Sequence, residues 1–210
     1  MMKSPKASRT RRSPNEAKEL FLACAETLLA EGGIAAVQMR AVARRCGVTD
    51  AAIAYYFRDR QGLINALMKH VLNKVRKAVY AIVESWVRTD SNISTLIEQL
   101  DRLYSQGYAE LAIAASNLGW RDDGTPILKP VADVLINKNK NPTTTDNDIR
   151  RVLACVHMDL AMSPLYGAAF RRSVGLGATS HRKQQLAWWS ETIEQLLVST
   201  EVSNLRNASS

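Results

Sequence analysis

The residues best suited to covalent or metal chemistry are few and scattered. Cys24, Cys46 and Cys155 each sit in an apolar, helix-like pattern; none forms a Cys-x-x-Cys pair, and their number is odd. Neither a zinc cluster nor a disulfide framework is expected, and the three read as small buried hydrophobes in a reducing compartment. His70, His157 and His181 lack partners at metal-ligand spacing. His157 and Asp159 are two apart on a helical pattern and so do not face each other. The chain has no His-Glu-x-x-His, no Gly-x-Ser-x-Gly, no phosphate-binding glycine loop and no dinucleotide fingerprint. No catalytic set, metal or covalent cofactor is implied. The chemistry that the residue types do support is the binding of a polyanion. Tyr55 and Tyr56 supply hydroxyls that can donate to phosphates, and Ala51 and Ala54 are small enough for backbone to approach a nucleic acid closely.

The charge agrees. The chain has 210 residues and a formal net charge of +8, which favours nucleic acid first and an anionic membrane surface second. Residues 1–60 hold +5 of that excess and residues 61–210 only +3. The densest stretch is Lys3, Lys6, Arg9, Arg11 and Arg12, interleaved with Ser and Pro, with no acid before Glu16. Residues 1–13 therefore read as a flexible basic arm, either solvated or following DNA phosphates. A mitochondrial transit peptide is disfavoured because the segment has no amphipathic face, and a secretory signal because it has no apolar stretch. With 46% apolar and 23% charged residues the chain is an ordinary globular one, not disordered or collagenous. No run approaches the roughly 18 apolar residues of a membrane-spanning helix, and a cytoplasmic location is expected.

The elements that must position these groups read almost entirely as helix. Ser13 caps and Pro14 opens a first helix to Glu31, with Leu20, Phe21, Cys24, Ala25 and Leu28 on one face and Gly32-Gly33 as its stop. Met39, Val42, Ala43 and Cys46 form the buried face of a second helix, from which Arg40, Arg44 and Arg45 project. Gly47 breaks it, Val48 plugs the turn, and Thr49 caps a third helix over Asp50–Tyr56 anchored by Ile53 and Phe57. Two short helices about a tight glycine turn form a helix-turn-helix, with Asp50, Ala51, Ala54, Tyr55 and Tyr56 on the exposed face of the second. A long helix from Gln61 to Trp86 follows.

The stretch Gly33-Ile34 … Met39-Arg40-Ala41-Val42-Ala43 … Cys46-Gly47-Val48-Thr49 … Ile53 … Tyr55-Tyr56-Phe57 … Arg60 … Leu63 resembles the DNA-binding domain of TetR-type regulators over residues 14–70. The resemblance implies an all-α homodimer. Its N-terminal domain would bind a palindromic operator, usually as a repressor, and its C-terminal domain a small molecule that releases the DNA. Carried over by position, Thr49, Tyr55, Tyr56 and Arg60 resemble phosphate contacts. Ala51, Ala52 and Ala54 occupy the face nearest the bases, and Gln38 and Arg40 open the second helix. Gln38 stands where the family usually has Ser or Thr, and Arg60 where lysine is more common. Asp50 is acidic where lysine is frequent; it reads either as an acceptor for cytosine N4 or as a first-turn partner of the helix dipole.

Beyond residue 61 the reading is five more helices: Asn92–Gly107, Tyr108–Gly119, Thr125–Asn139, Asp146–Val174 and Ser180–Thr200, with a polar tail over 201–210. Pro164 should bend the fourth of these. The domains so defined are an arm (1–13), a DNA-binding domain (14–60) and an effector-binding and dimerisation domain (61–200). The last two helices resemble the dimerising pair of the family, through Ala154, Met158, Ala161, Leu165 and Ala169 on one and Trp188, Ile193, Leu196 and Leu197 on the other. Of the adjacent Trp188 and Trp189, one should face the core and the other the partner. A pocket for a largely apolar or aromatic ligand is expected around Trp86, Tyr104, Tyr108, Trp120, His157, Tyr166 and Phe170. Two other readings remain: a DNA-binding regulator with no small-molecule effector, and a helical enzyme or ligand carrier.

Overall fold

A computed structural model describes residues 13–90, 92–121, 124–177 and 181–198. The basic arm, apart from Ser13, and the tail over 201–210 lie outside the described residues. Among those described, the regular structure is helix without strand.

Local sequence accounts for the first helices. The Ser13 hydroxyl accepts from the Glu16 N–H and the Glu16 carboxylate accepts from the Ser13 N–H, a closed capping box followed by Pro14. Helix α1 (Pro14–Ala36) is interrupted at Gly32 and Gly33, where φ and ψ leave the helical region, so the expected stop is present as a kink. Helix α2 (Met39–Cys46) ends at Gly47, whose φ of 66° is left-handed; the Val48 N–H then reaches back to the Ala43 carbonyl. Thr49 caps α3 (Asp50–Phe57), and α4 (Arg60–Arg88) follows after two residues.

Further on come α5 (Ile93–Tyr104), α6 (Tyr108–Asn117), α7 (Lys129–Lys138), α8 (Asp146–Met162), α9 (Ala168–Ser173) and α10 (Arg182–Leu197). Helix α7 begins four residues later than its sequence suggested. The Thr125-Pro126 pair instead closes two tight turns, Ile127 N–H to Thr125 O and Lys129 N–H to Pro126 O, and Pro130 takes the first-turn position. Pro164 does not merely bend its helix: residues Ser163–Gly167 form one π-helical turn between α8 and α9.

The chain forms two compact units. Of the described residues, one comprises 13–70 with 114–120 and the other 71–113 with those from 121 to 198; α4 and α6 each contribute to both. The first is centred on Phe21, Ala25, Val42, Ile53, Phe57 and Leu67, with α2 packed against α1 and α3. The second buries Val79, Ile97, Leu100, Leu135, Val156 and Ile193, with α8 packed against α5, α7 and α10. One stretch, Asp146–Ser173, is long and apolar enough to cross a membrane by length and mean hydropathy, contrary to the sequence reading. Its core-facing row, Ile149, Leu153, Val156 and Leu160, is buried within the second unit, as in an amphipathic bundle helix.

Candidate nucleic-acid interface

Helix α3 is held from inside and open outside. Ile53 and Phe57 are buried, while Ala51, Ala54 and Tyr55 are exposed, Tyr55 to 84%. The Thr49 hydroxyl accepts from the Ala52 N–H at 3.3 Å and fixes the first turn. Ala52 is half-buried and lies at the edge of the open face. Tyr56 is also half-buried; its ring meets Phe21 of α1 edge-on at 5.3 Å and Tyr55 at 5.2 Å. The protruding Tyr55 therefore stands on a ring that is itself packed. This leaves a small-residue face of Ala51 and Ala54 with a hydroxyl beside it.

Three polar residues find partners within the chain. Gln38 occupies the N-cap position of α2 without capping it, and its Nε2 donates instead to the Ala35 carbonyl at 3.0 Å. Arg60 was expected to reach phosphate. Its Nε donates to Val37 O at 3.0 Å and its Nη2 to Ile34 O at 2.9 Å, so the guanidinium ties α4 to the α1–α2 link. Peptide carbonyls left over at a helix end are satisfied by a cation in this way. Asp50 pairs with Arg40, Oδ2 to Nε, at 3.1 Å, a partner that neither sequence reading of Asp50 included.

The join between α3 and α4 was not singled out in the sequence. Arg58 has φ 70° and ψ −61°, and the Asp59 N–H bonds the Phe57 carbonyl at 2.8 Å across it, a γ-turn of the rare positive-φ kind. The Asp59 carboxylate accepts from the Gly62 N–H at 2.8 Å and so caps α4. A Cβ at Gly62 would lie 1.9 Å from the Phe57 carbonyl oxygen. An Asp three residues before the capped N–H was the available signal.

Helices α1 and α2 are fastened twice. Arg45 meets the Glu31 carboxylate with two bonds of 2.5 and 2.6 Å, which hold that carboxyl below the usual range. Cys24 and Cys46 are joined as a disulfide with Cα atoms 6.5 Å apart. This corrects the expectation of two independent buried thiols. The pair is 22 residues apart in sequence, and only the packing of α1 on α2 brings the side chains together. Cys155 is free and exposed.

Of the seven expected ligand contacts, His157 and Phe170 line two different cavities. The Tyr104 hydroxyl and His157 Nε2 hydrogen-bond at 2.8 Å; burial pushes the tyrosine pKa up and the histidine pKa down, so both are neutral near pH 7. His157 lines a cavity of about 340 Å³ with Thr125, Leu128, Lys129, Arg150 and Leu153. Trp86 is core, with its Nε1 donating to the Asn92 carbonyl at 2.8 Å. Tyr108 donates to Gln106 Oε1, and Trp120 belongs to the first unit. Tyr166 and Phe170 are exposed and lie 6.2 Å apart. Phe170 lines a different, open groove of about 820 Å³ with Cys155, Met158, Leu176 and Trp188. Aromatic residue type alone did not distinguish the inward faces of these helices from the outward ones.

The expected dimer face is likewise corrected in part. Ile193 and Leu197 are buried within the chain's own core, so they are unavailable to a partner. Met158 and Trp188 are exposed, and Trp189 turns inward, its Nε1 donating to Asp159 at 3.2 Å. Asp159 also accepts from Arg182 and Gln185, each at 2.7 Å, and Arg182 bonds Asp101 as well. This network binds α5, α8 and α10 together.

An exposed, capped helix standing off a compact helical unit, preceded by a second helix across a left-handed glycine, defines a helix-turn-helix DNA-binding domain. Residues 21–67 match the family model for bacterial regulatory proteins of the tetR family. The HTH-type transcriptional regulator BetI of Stenotrophomonas maltophilia is 32% identical over 66 residues, 31% of this chain and 33% of that protein. BetI of Pseudomonas aeruginosa is 38% identical over 47 residues, 22% of this chain and 24% of that one. The chain thus matches about a third or less of the length of these curated relatives. Two crystal structures share the overall fold. A TetR variant from Acinetobacter baumannii in complex with minocycline has 16% identity, covers 90% of this chain and 100% of that one, and gives a TM-score of 0.55. BioQ has 20% identity, covers 87% and 98%, and gives 0.50. Residues 21–67 are thus similar to the N-terminal DNA-binding domain of the tetR family.

Proposed function

We propose that the chain is a homodimeric, DNA-binding transcription regulator, a repressor that leaves a palindromic operator when a small, largely apolar or aromatic molecule binds its second unit. The observation that carries this is the outer face of α3. Ala51, Ala54 and Tyr55 are exposed on a helix whose other side is fully anchored. Such a face fits a major groove, with hydroxyls and arginines for the phosphates on either side. Thr49, Tyr55 and Tyr56 remain the proposed phosphate contacts.

Dimerisation is supported by the exposed apolar side chains Met158, Phe170, Val174 and Trp188, which a second copy would cover. Two recognition helices would then address half-sites about one helical turn apart. The effector site we favour is the 340 Å³ cavity beside His157, which is within the size range of small-ligand sites. The larger groove opens on the face assigned to the partner. Because α4 contributes residues to both units, it is the element through which occupancy of the cavity would act on α3. The ligand must bind the DNA-released state better, or nothing shifts. Such regulators act in the cytoplasm and catalyse no reaction, and the same is proposed here.

The test is a binding selection on genomic fragments with the purified protein at two salt concentrations. Recovery of one palindromic motif, with affinity falling steeply as salt rises, is expected. Weak binding spread evenly over all fragments would sink the proposal and favour a helical enzyme or carrier.

A further inference from the structure

The pairing of Arg40 with Asp50 is out of place for a simple surface ion pair. Arg40 lies in the first turn of α2, and Asp50 is the first residue of α3. In a helix-turn-helix the start of the second helix is the part that enters the major groove. An isolated carboxylate there would repel the phosphates on both sides. Here its Oδ2 is engaged at 3.1 Å by one nitrogen of Arg40, the Nε. The two terminal nitrogens, with four N–H donors, remain at the end of a side chain that is 91% exposed.

We propose that Arg40 reads a guanine in each operator half-site and that Asp50 is the positioning residue that aims it. The inference rests on the DNA-binding reading above and specifies its chemistry. Guanine presents two acceptors, O6 and N7, on its major-groove edge, and the forked end of a guanidinium matches them with two parallel bonds. A long arginine side chain normally loses much rotamer freedom when it makes such a contact. Holding Nε on a carboxylate fixed to α3 restricts that freedom before DNA arrives. The same pairing compensates the arginine's charge, which makes it a poorer anchor for phosphate and leaves directional base reading as its better use. The other arginines of α2 differ: Arg45 is committed to Glu31 with both terminal nitrogens, and Arg44, one turn further along the same side as Arg40, lies in the last turn of the helix.

The experiment is a selection from a randomised half-site library with the full chain, Arg40→Ala, Asp50→Ala and the double variant, each first checked for an unchanged thermal unfolding curve. The wild type should demand guanine at one position per half-site. Arg40→Ala should lower that discrimination by about 5- to 150-fold at that position only. Asp50→Ala should weaken the same position by less. The double variant should match Arg40→Ala, because the two residues act as one unit. Four results would overturn the inference. A uniform loss of affinity in Arg40→Ala, with the salt slope reduced by about one, would make Arg40 a phosphate contact. A cytosine preference lost only in Asp50→Ala would make Asp50 the reader. An unaltered motif in Arg40→Ala would leave the regulator reading standing without this contact, whereas no motif for the wild type would remove both.

Discussion

Gly62 holds a place that no other residue can take without moving the recognition helix. A methyl group there meets the Phe57 carbonyl at 1.9 Å, and backbone is not a neighbour that yields. Gly62→Ala is expected to destabilise the chain by about 1–3 kcal/mol, measured by urea unfolding, and to lower operator affinity along with it. Arg60 calls for a different experiment. Its two bonds to carbonyls predict that Arg60→Ala costs about 1.5–3 kcal/mol of stability while the salt slope of DNA binding stays unchanged. A slope reduced by about one would restore Arg60 to the phosphate contacts. At His157 the prediction concerns pH. Burial lowers its folded pKa below the ordinary 6.5, so between that folded value and 6.5 the unfolded chain binds more protons. Stability is then fully present above pH 6.5 and falls as pH drops through the window. Melting curves should show this slope as the pH falls below about 6.5, and His157→Gln should remove it. The residue-scale roles legible in the sequence were those set by local partners, such as the Thr49 cap. The roles of Arg60, Gly62 and Asp50 were not, because their partners Val37, Phe57 and Arg40 lie across a turn or on another helix.

At the scale of elements, helices α2 to α4 were legible to within two residues at each end, while α1 runs to Ala36, past its expected stop at Glu31. Each carries a stop or start written in local chemistry: the Ser13–Glu16 box, Gly47, Thr49, and the apolar spacing between them. Later elements were less so. Thr125-Pro126 has the better local chemistry for a start of α7, yet the helix begins at Lys129 with a buried Leu128 in the cap position. The joint between α1 and α2 offers a direct test. A bond closing 22 residues of sequence should contribute about 3 kcal/mol by restricting the unfolded chain. Adding dithiothreitol, or substituting Cys24→Ser, is therefore expected to lower the urea midpoint of the first unit, followed by hydrogen exchange of α1 and α2 amides. A midpoint indifferent to reductant would mean the two sulfurs contribute no more than packing. The remaining bonds of this joint, from Arg45 to Glu31, are on exposed groups and should weaken with salt.

At the scale of the whole molecule, the proposed binding of an operator by two half-sites requires two chains. Met158 and Trp188 are 64% and 56% exposed, so replacing both with glutamate should leave the folded chain intact. The double variant is expected to sediment as a monomer and to lose most specific DNA binding, while its helical circular dichroism is unchanged. A dimer that survives both substitutions would place the interface elsewhere. Half of the α10 face expected from sequence was misassigned because Ile193, Leu197 and Trp188 are equally apolar as letters. Their exposure depends on where α10 meets α5 and α8, which the Arg182–Asp101–Asp159 network settles.

What the amino-acid order determined by itself was everything carried by near neighbours: helical class, the helix-turn-helix and its caps, the excess of positive charge towards the start, and the resemblance to the TetR domain. Hydrophobic period and capping act over three to seven residues, so a linear reading contains them. Only the tertiary structure decided which cysteines meet, where Arg60 and Asp50 spend their charges, and which aromatics face a cavity, the core or solvent. Those outcomes depend on contacts between residues 10 to 81 positions apart, and one helix rotated on its axis exchanges buried for exposed without changing a letter.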